Sequence, residues 1–309
     1  MSFQSKFRSF HQTINLGRFS ESATLREKRD RVLTRLRNGC QEGFDWFNQG
    51  SYEMGTGIKP TSTDYDIDVG VVFNVDDVGR HSPLSIKKLV YDAVGSHTQD
   101  VRWKEPCITV QYQQKGEPAF HVDLAVYAQD RYGRLHLARG KEHSGAAYFS
   151  WQACDPKGLT STLGNRWSGE DAAQFRRVVQ YLKRWKDVHF PTTGNAAPVG
   201  VGLTVLAHLR FSPQRAGWSG PHDDLAALRA VVSSIASGFT QTWSSNGWVY
   251  RISAQVPVQP FDDVFARMTD QQMTEFKGRV DTLRGWLDEA ARTGSPATLV
   301  RAFGSDFPS

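Results

Sequence analysis

Residues 65–73 read YDIDVGVVF, a β-rich run with two carboxylates two positions apart. Side chains alternate faces along a strand, so Asp66 and Asp68 project together while Ile67 and Val69 turn to the opposite side. Like charges side by side on one face weaken a strand, and a divalent cation removes the conflict. A third carboxylate, Asp123, stands in a second apolar run, FHVDLAVY at 120–127, among Val122, Leu124 and Val126. An aspartate in such surroundings is costly without a partner. If the two strands are neighbours, Asp66, Asp68 and Asp123 converge. Three hard oxygen donors suit Mg²⁺, and two ions about 4 Å apart are the usual arrangement for moving a nucleotidyl group. An Asp-x-Asp pair alone is common in surface turns, so the strand context and Asp123 carry this reading.

Gly50 and Ser51 precede the aspartate pair by a loop and begin a candidate short helix. Backbone N–H groups at such a place grip phosphate oxygens, the serine hydroxyl adds a donor, and Gly50 lets the backbone approach closely.

Around these motifs the chain divides in character. Residues 25–43 carry Leu25, Val32, Leu33 and Leu36 at helical spacing. Residues 82–94 read as a helix with Ser82 as N-cap and Pro83 in its first turn. Strands follow at 108–112 and 119–127, joined by a turn at 114–117, giving a small sheet of mostly hairpin-linked strands. Helical patterns then fill 169–189, 201–211, 223–237 and 270–292. An α+β lobe over 1–155 followed by a helical lobe over 156–309 is the expected architecture, with the active site in the cleft between them.

With 309 residues and 39% hydrophobic content the chain can bury a substantial core. Three widely spaced cysteines, Cys40, Cys107 and Cys154, speak against zinc and disulfide frameworks. The first ten residues lack the apolar stretch of a signal peptide, and no window reaches membrane-spanning length, so a soluble, cytoplasmic protein is expected. The net charge of +5 suits a polyphosphate substrate or a nucleic acid and decides little alone.

Taken together, QGSYEMGTGIKP (49–60), DYDIDVGVVF (64–73) and HVDL (121–124) resemble the polymerase-β-type nucleotidyltransferases. More narrowly they resemble the bacterial cGAS/DncV-like enzymes, relatives of oligoadenylate synthetase. The likeness extends to YLKRWK (181–186) and to RAFGSDFP (301–308) at the end. It implies a polymerase-β-like catalytic lobe with a small mixed sheet, joined to a helical lobe like that of oligoadenylate synthetase and poly(A) polymerase. It implies two Mg²⁺ ions (or Mn²⁺) held by the catalytic residues Asp66, Asp68 and Asp123. It further implies triphosphate binding by Gly50, Ser51 and Lys183, with ATP among the substrates. The product would be a cyclic di- or trinucleotide second messenger in anti-phage signalling, made without a nucleic-acid template. A downstream effector and a regulatory protein partner would accompany it.

One segment departs from the family. Where relatives carry a serine, or a Ser-Tyr pair, at a helix start, this chain has PVGVGLT at 198–204, with Gly200 in the serine's place and no aromatic platform. Backbone amides there, or Thr192, Thr193 or Asn195, are the remaining candidates for holding the donor. For Lys183 the competing reading is a solvated basic helix face, with Val178, Val179, Leu182 and Trp185 buried behind it. For His121 it is an ordinary hydrogen-bonded histidine. Lys59, Arg102 and Lys104 are further candidates for the cleft. Other functions consistent with the motifs are an RNA-end or protein nucleotidyltransferase and a catalytically idle nucleotide- or RNA-sensing module.

Overall fold

The computed structural model describes residues 3–17, 21–61, 64–191, 197–245 and 247–309. Its first half is built on a seven-stranded mixed sheet. After helices α1 (Phe3–Ile14) and α2 (Glu21–Gly39) come strand β1 (Asp45–Gln49), the single turn α3 (Gly50–Glu53) and β2 (Tyr65–Asn74). Helix α4 (Pro83–Val94) then leads into β3 (Asp100–Trp103), β4 (Ile108–Gln114), β5 (Glu117–Gln129), β6 (Leu135–Arg139) and β7 (Ser150–Cys154). The strand order is β1-β2-β5-β4-β3, with β6 and β7 added beside β5.

Local chemistry explains several of these elements. Ser82 accepts from the Ser85 amide, and a proline occupies the first turn of α4. Lys115 and Gly116 both take positive φ between β4 and β5, the geometry of a tight hairpin turn. Helix α2 lies four residues earlier than the periodicity suggests. It ends at Gly39, where a Cβ would press on the Ala93 backbone of α4, so the close crossing of the two helices fixes the end.

Alternation sets the two faces of the sheet. Ile67, Val69, Val71, Val122, Leu124 and Val126 pack with Leu33 and Leu36 of α2 and Val90 of α4 in one buried cluster. The opposite face is left to polar side chains at its carboxylate-bearing end. The central β2–β5 pair is parallel. Strands β3 to β7 pair in sequence as antiparallel neighbours, as expected of mostly hairpin-linked strands, and the parallel β2–β5 pair, with α4, β3 and β4 between its strands in sequence, makes the sheet mixed.

The second half comprises α5 (Pro156–Asn165), α6 (Gly169–His189), α7 (Gly200–Arg210), α8 (Asp224–Ser237), the hairpin β8 (Thr240–Ser244) and β9 (Gly247–Arg251), α9 (Asp270–Thr293) and α10 (Ala297–Phe303). Its core centres on Tyr181 and Trp185 of α6 and extends back to α1. Phe7 and Phe10 pack against Tyr181, Phe303 and Phe307, so the two chain ends share one aromatic cluster. Beneath it, Asp224 accepts from Arg177 at 2.7 and 2.9 Å and from the Tyr181 hydroxyl at 2.9 Å, a buried charge held by paired partners. Between the halves, β7 ends at Cys154 and α5 starts at Pro156. Among the described residues no helix is long and apolar enough to cross a membrane.

Candidate active site

The carboxylate motifs meet across neighbouring strands. Asp68 of β2 stands opposite Asp123 of β5, and Asp66 opposite His121. On the other side of β5, β4 places Thr109 opposite Asp123 and Gln111 opposite His121. The flanking residues Ile67, Val69, Val122, Leu124, Ile108 and Val110 all enter the core under α2 and α4. These six polar side chains therefore leave the sheet on the far face.

Asp123 is held by its neighbours. Its Oδ1 accepts the hydroxyl of buried Thr109, and the Lys104 ammonium lies 3.9 Å from the same oxygen. His121 Nδ1 is 3.0 Å from Asp64 Oδ1, which also accepts from Gln111 Nε2 at 2.9 Å. His121 is thus a satisfied hydrogen-bonding histidine whose Nε2 stands 3.9 Å from Asp123 Oδ2.

Strand β1 brings in the Gly-Ser loop. Gln49 pairs with Asp68 in register, and its Oε1 accepts from the buried Tyr127 hydroxyl at 2.9 Å. The chain then turns at Gly50, with φ +67°, into α3. A Cβ at Gly50 would overlap Asp68 Oδ2 and would sit at a strained backbone dihedral, so glycine suits this turn.

A cleft of about 560 Å³ opens between the two halves. Gly50, Ser51, Asp66 and Asp68 line one wall, while Lys183, Lys186 and Asp187 of α6 line the other, with Gly200, Val201 and Thr204 at the start of α7. Asp123 stands beside Asp68 but is outside this lining. Among the described residues no three His, Cys, Asp or Glu side chains already close around one point as a formed metal cage.

The charges in the cleft are strained toward neutrality. Burial, then the neighbouring charges of Asp66 and Asp123, push the Asp68 carboxyl up to about 8, against the pull of Lys183 and Lys104. Burial pushes the Lys183 ammonium down to about 8, with Asp66 opposing it. Lys183 is only 8% exposed, and its Nζ donates to the Thr56 carbonyl at 3.0 Å and the Thr56 hydroxyl at 3.3 Å. The solvated-face reading of this helix is therefore wrong at Lys183. The expected apolar face is buried, and Lys183 is buried beside it because the 55–57 loop covers that side of α6. Gln180, one turn earlier, secures the same loop through the Gly57 carbonyl at 3.0 Å.

Of the further basic candidates, Lys104 faces Asp123, whereas Arg102 is engaged with Asp100 and the Lys59 carbonyl is held by Arg184 at 2.8 Å. Helix α7 does begin at Gly200, with no side-chain cap, and Thr204 Oγ1 returns a hydrogen bond to the Gly200 carbonyl at 3.0 Å. Thr192, Thr193 and Asn195 lie outside the described residues. Sequence reasoning missed Thr109, Lys186, Asp187 and Thr204. Thr109 and Gln111 alternate with Ile108 and Val110, which is the signal that places them on the polar face.

A mixed sheet bearing paired aspartates beside a Gly-Ser turn, closed by a helical half, defines a nucleotidyltransferase fold. Residues 45–127 match the family described as cyclic GMP-AMP synthase DncV-like, nucleotidyltransferase domain. Among curated proteins, a cyclic GMP-AMP synthase of Escherichia albertii is 25% identical over 218 residues, 65% of this chain. The match spans 46% of that relative, under half its length. Among solved structures, the Vibrio cholerae DncV cyclic AMP-GMP synthase superposes with a TM-score of 0.72 at 13% identity, covering 100% of this chain and 98% of its own. The Bradyrhizobium diazoefficiens CD-NTase CdnG, solved in complex with GTP, gives 0.71 at 15% identity, covering 97% and 94%. At such identities the structural matches establish the fold.

Proposed function

We propose that this protein is a metal-dependent cyclic-oligonucleotide synthase that joins nucleoside triphosphates, ATP among them, into a cyclic di- or trinucleotide. The observation that carries the reading is that the Asp66–Asp68 pair and the Gly50–Ser51 turn share one cleft wall, opposite Lys183. The donor set fits a hard divalent cation. Burial and then the neighbouring Asp66 charge raise the Asp68 proton affinity, and Asp123 adds a third carboxylate from the adjoining strand. These three residues would hold Mg²⁺ or Mn²⁺, two ions per site, which supply charge neutralisation and acidification of an acceptor hydroxyl.

The remaining roles belong to the chain's own groups. Gly50 and Ser51 offer backbone and hydroxyl donors to the β- and γ-phosphates. Lys183 supplies positive charge where pyrophosphate leaves, and Lys186 adds to it from the next turn of the same helix. Thr109 orients Asp123. In this reading an acceptor ribose hydroxyl attacks the α-phosphorus in line as pyrophosphate leaves, and a second round on the linear product closes the ring. Such a product acts through a separate receptor, so the reading includes a downstream effector, an anti-phage signalling role and control by a partner protein.

The test is product analysis. Purified protein is incubated with all four ribonucleoside triphosphates and Mg²⁺ or Mn²⁺, with and without RNA, then treated with phosphatase and examined by mass spectrometry. The expected result is a phosphatase-resistant cyclic product that is absent when Asp66 and Asp68 are both replaced by alanine. Extended RNA, a nucleotidylated protein, or unchanged turnover in the double variant would overturn the reading.

A further inference from the structure

One buried cation takes no part in the chemistry above. Lys87 of α4 is 0% exposed, and its Nζ donates to the carbonyls of Lys104 and Glu105 at 2.7 Å each and to that of Gly140 at 3.0 Å. Among the described residues no carboxylate pairs with it; the Glu105 side chain turns instead to Arg139 and Arg267. An ammonium taken out of water is costly, and charge-assisted bonds to carbonyls offset that cost only where all its donors are used. An apolar side chain would avoid the cost, so the effect of Lys87 lies in what its bonds tie together.

They tie the 104–107 turn between β3 and β4 to the chain just after β6. The Gly140 amide donates to the Glu105 carbonyl at 3.2 Å, Trp103 Nε1 donates to the Gly140 carbonyl at 2.9 Å, and the Lys104 amide closes the turn on the Cys107 carbonyl at 2.9 Å. From this fixed base Lys104 reaches the carboxylates, and its Nζ stands 3.9 Å from Asp123 Oδ1. Its charge acts on Asp68 as well. The same Asp123 oxygen accepts the Thr109 hydroxyl, and Asp123 stays out of the cleft lining. The third carboxylate is thus already engaged by a cation and a hydroxyl of the chain itself.

We propose that Lys104 is a resident counter-cation that loosens the hold of the three aspartates on a divalent ion, and that Lys87 is the residue that positions it. The inference rests on the metal role proposed above for Asp66, Asp68 and Asp123. A unit positive charge this close to a carboxylate opposes the approach of a second cation. The Lys104 side chain is 44% exposed, so a free loop would let it swing into water. Lys87 removes that freedom from the backbone, which keeps the Lys104 charge beside Asp123 when the ion arrives.

Mn²⁺ binding tests this on the full chain without nucleotide, with the free ion counted by electron paramagnetic resonance. Lys104→Met should tighten Mn²⁺ binding about threefold at low ionic strength, the effect of removing one partly exposed charge, and less in high salt. Lys87→Met keeps the stem and removes the ammonium, and should shift the affinity in the same direction. The decisive measurement is the double variant. If Lys87 acts through Lys104, Lys87→Met adds nothing to the affinity once Lys104 is methionine, whereas its melting temperature still falls. A purely structural Lys87 would lower the melting temperature and leave Mn²⁺ affinity as in the parent. Should Lys87→Met fail to fold, Pro106→Gly loosens the same turn from an exposed position and should tighten binding in its place. Unchanged affinity in Lys104→Met, additive effects in the double variant, or no Mn²⁺ binding by any of these proteins each overturns the inference. A cyclic product from triphosphates, with Mn²⁺ affinity indifferent to Lys104, would remove this inference and keep the proposed function. Mn²⁺ binding that responds to Lys104 in a protein that makes no nucleotide product would do the reverse.

Discussion

The Lys183 ammonium and the Thr56 carbonyl lie 3.0 Å apart, joining the helical half to the loop that follows the Gly-Ser turn. The residue expected at the triphosphate is therefore also a clamp on the segment that shapes the cleft, and its environment pushes the ammonium down to about 8.

Lys183→Met should lower kcat/KM for nucleotidyl transfer by about 10- to 100-fold, the range for removing one charged stabiliser of a developing anion. Pyrophosphate release under steady-state conditions measures it. Lys183→Arg should recover little, because the guanidinium is larger and forked where the site holds a single buried Nζ.

Asp68 predicts a pH-dependent stability in the metal-free protein. Its carboxyl titrates near 8 in the folded state against an ordinary value of 3.8, so the folded state holds the extra proton between those values. The favourable contribution is complete below about pH 4 and is lost as pH rises toward 8. Asp68→Asn should melt a few degrees higher than the parent at pH 8 in chelator, with the difference vanishing near pH 4. Identical pH profiles for the two proteins would show that the pair is not in conflict. Adding Mg²⁺ should stabilise the parent more at pH 8 than at pH 6 and leave Asp68→Asn unaffected.

Thr109→Val keeps the shape of the strand and removes the only hydroxyl that donates to Asp123 among the described residues. Transfer activity should fall about tenfold, consistent with roughly 1.5 kcal/mol for a hydrogen bond to a charged acceptor. Circular dichroism should be unchanged, and Thr109→Ser should restore most of the rate.

Gly50→Ala places a methyl group against the Asp68 carboxylate at a backbone φ of +67°. The left-handed conformation alone costs about 1–2 kcal/mol for a residue with a Cβ. The variant should lose most transfer activity and several degrees of melting temperature. A fully active Gly50→Ala protein would mean that the turn at Gly50 is not held as described.

Much of the frame was legible in local pattern. The helices over 169–189 and 270–292 follow from apolar spacing, the capped start at Ser82 from its hydroxyl and the proline after it, and the 114–117 turn from Gly116. Other elements left little signal. Helix α1 is short, and its apolar residues Phe7, Phe10 and Ile14 gain their meaning only from Tyr181, Phe303 and Phe307 far along the chain. The β8–β9 hairpin has Trp243 and Trp248 largely exposed, so no alternation toward a core announces it.

What the sequence by itself determined is periodic and local: Asp66 and Asp68 on one strand face, Asp123 in a second strand, and a glycine where the chain must turn. What only the tertiary structure decided is every relation between distant segments. The parallel pairing of β2 and β5 sets Asp68 beside Asp123, and Thr109 comes to Asp123 only through the β4–β5 hairpin register. Lys183 changes from a solvated charge to a buried one because loop 55–57 folds over it. Alternation is a property of each strand alone. Register, burial and enclosure depend on which surfaces are pressed together when the core forms, and no single stretch of residues carries that information.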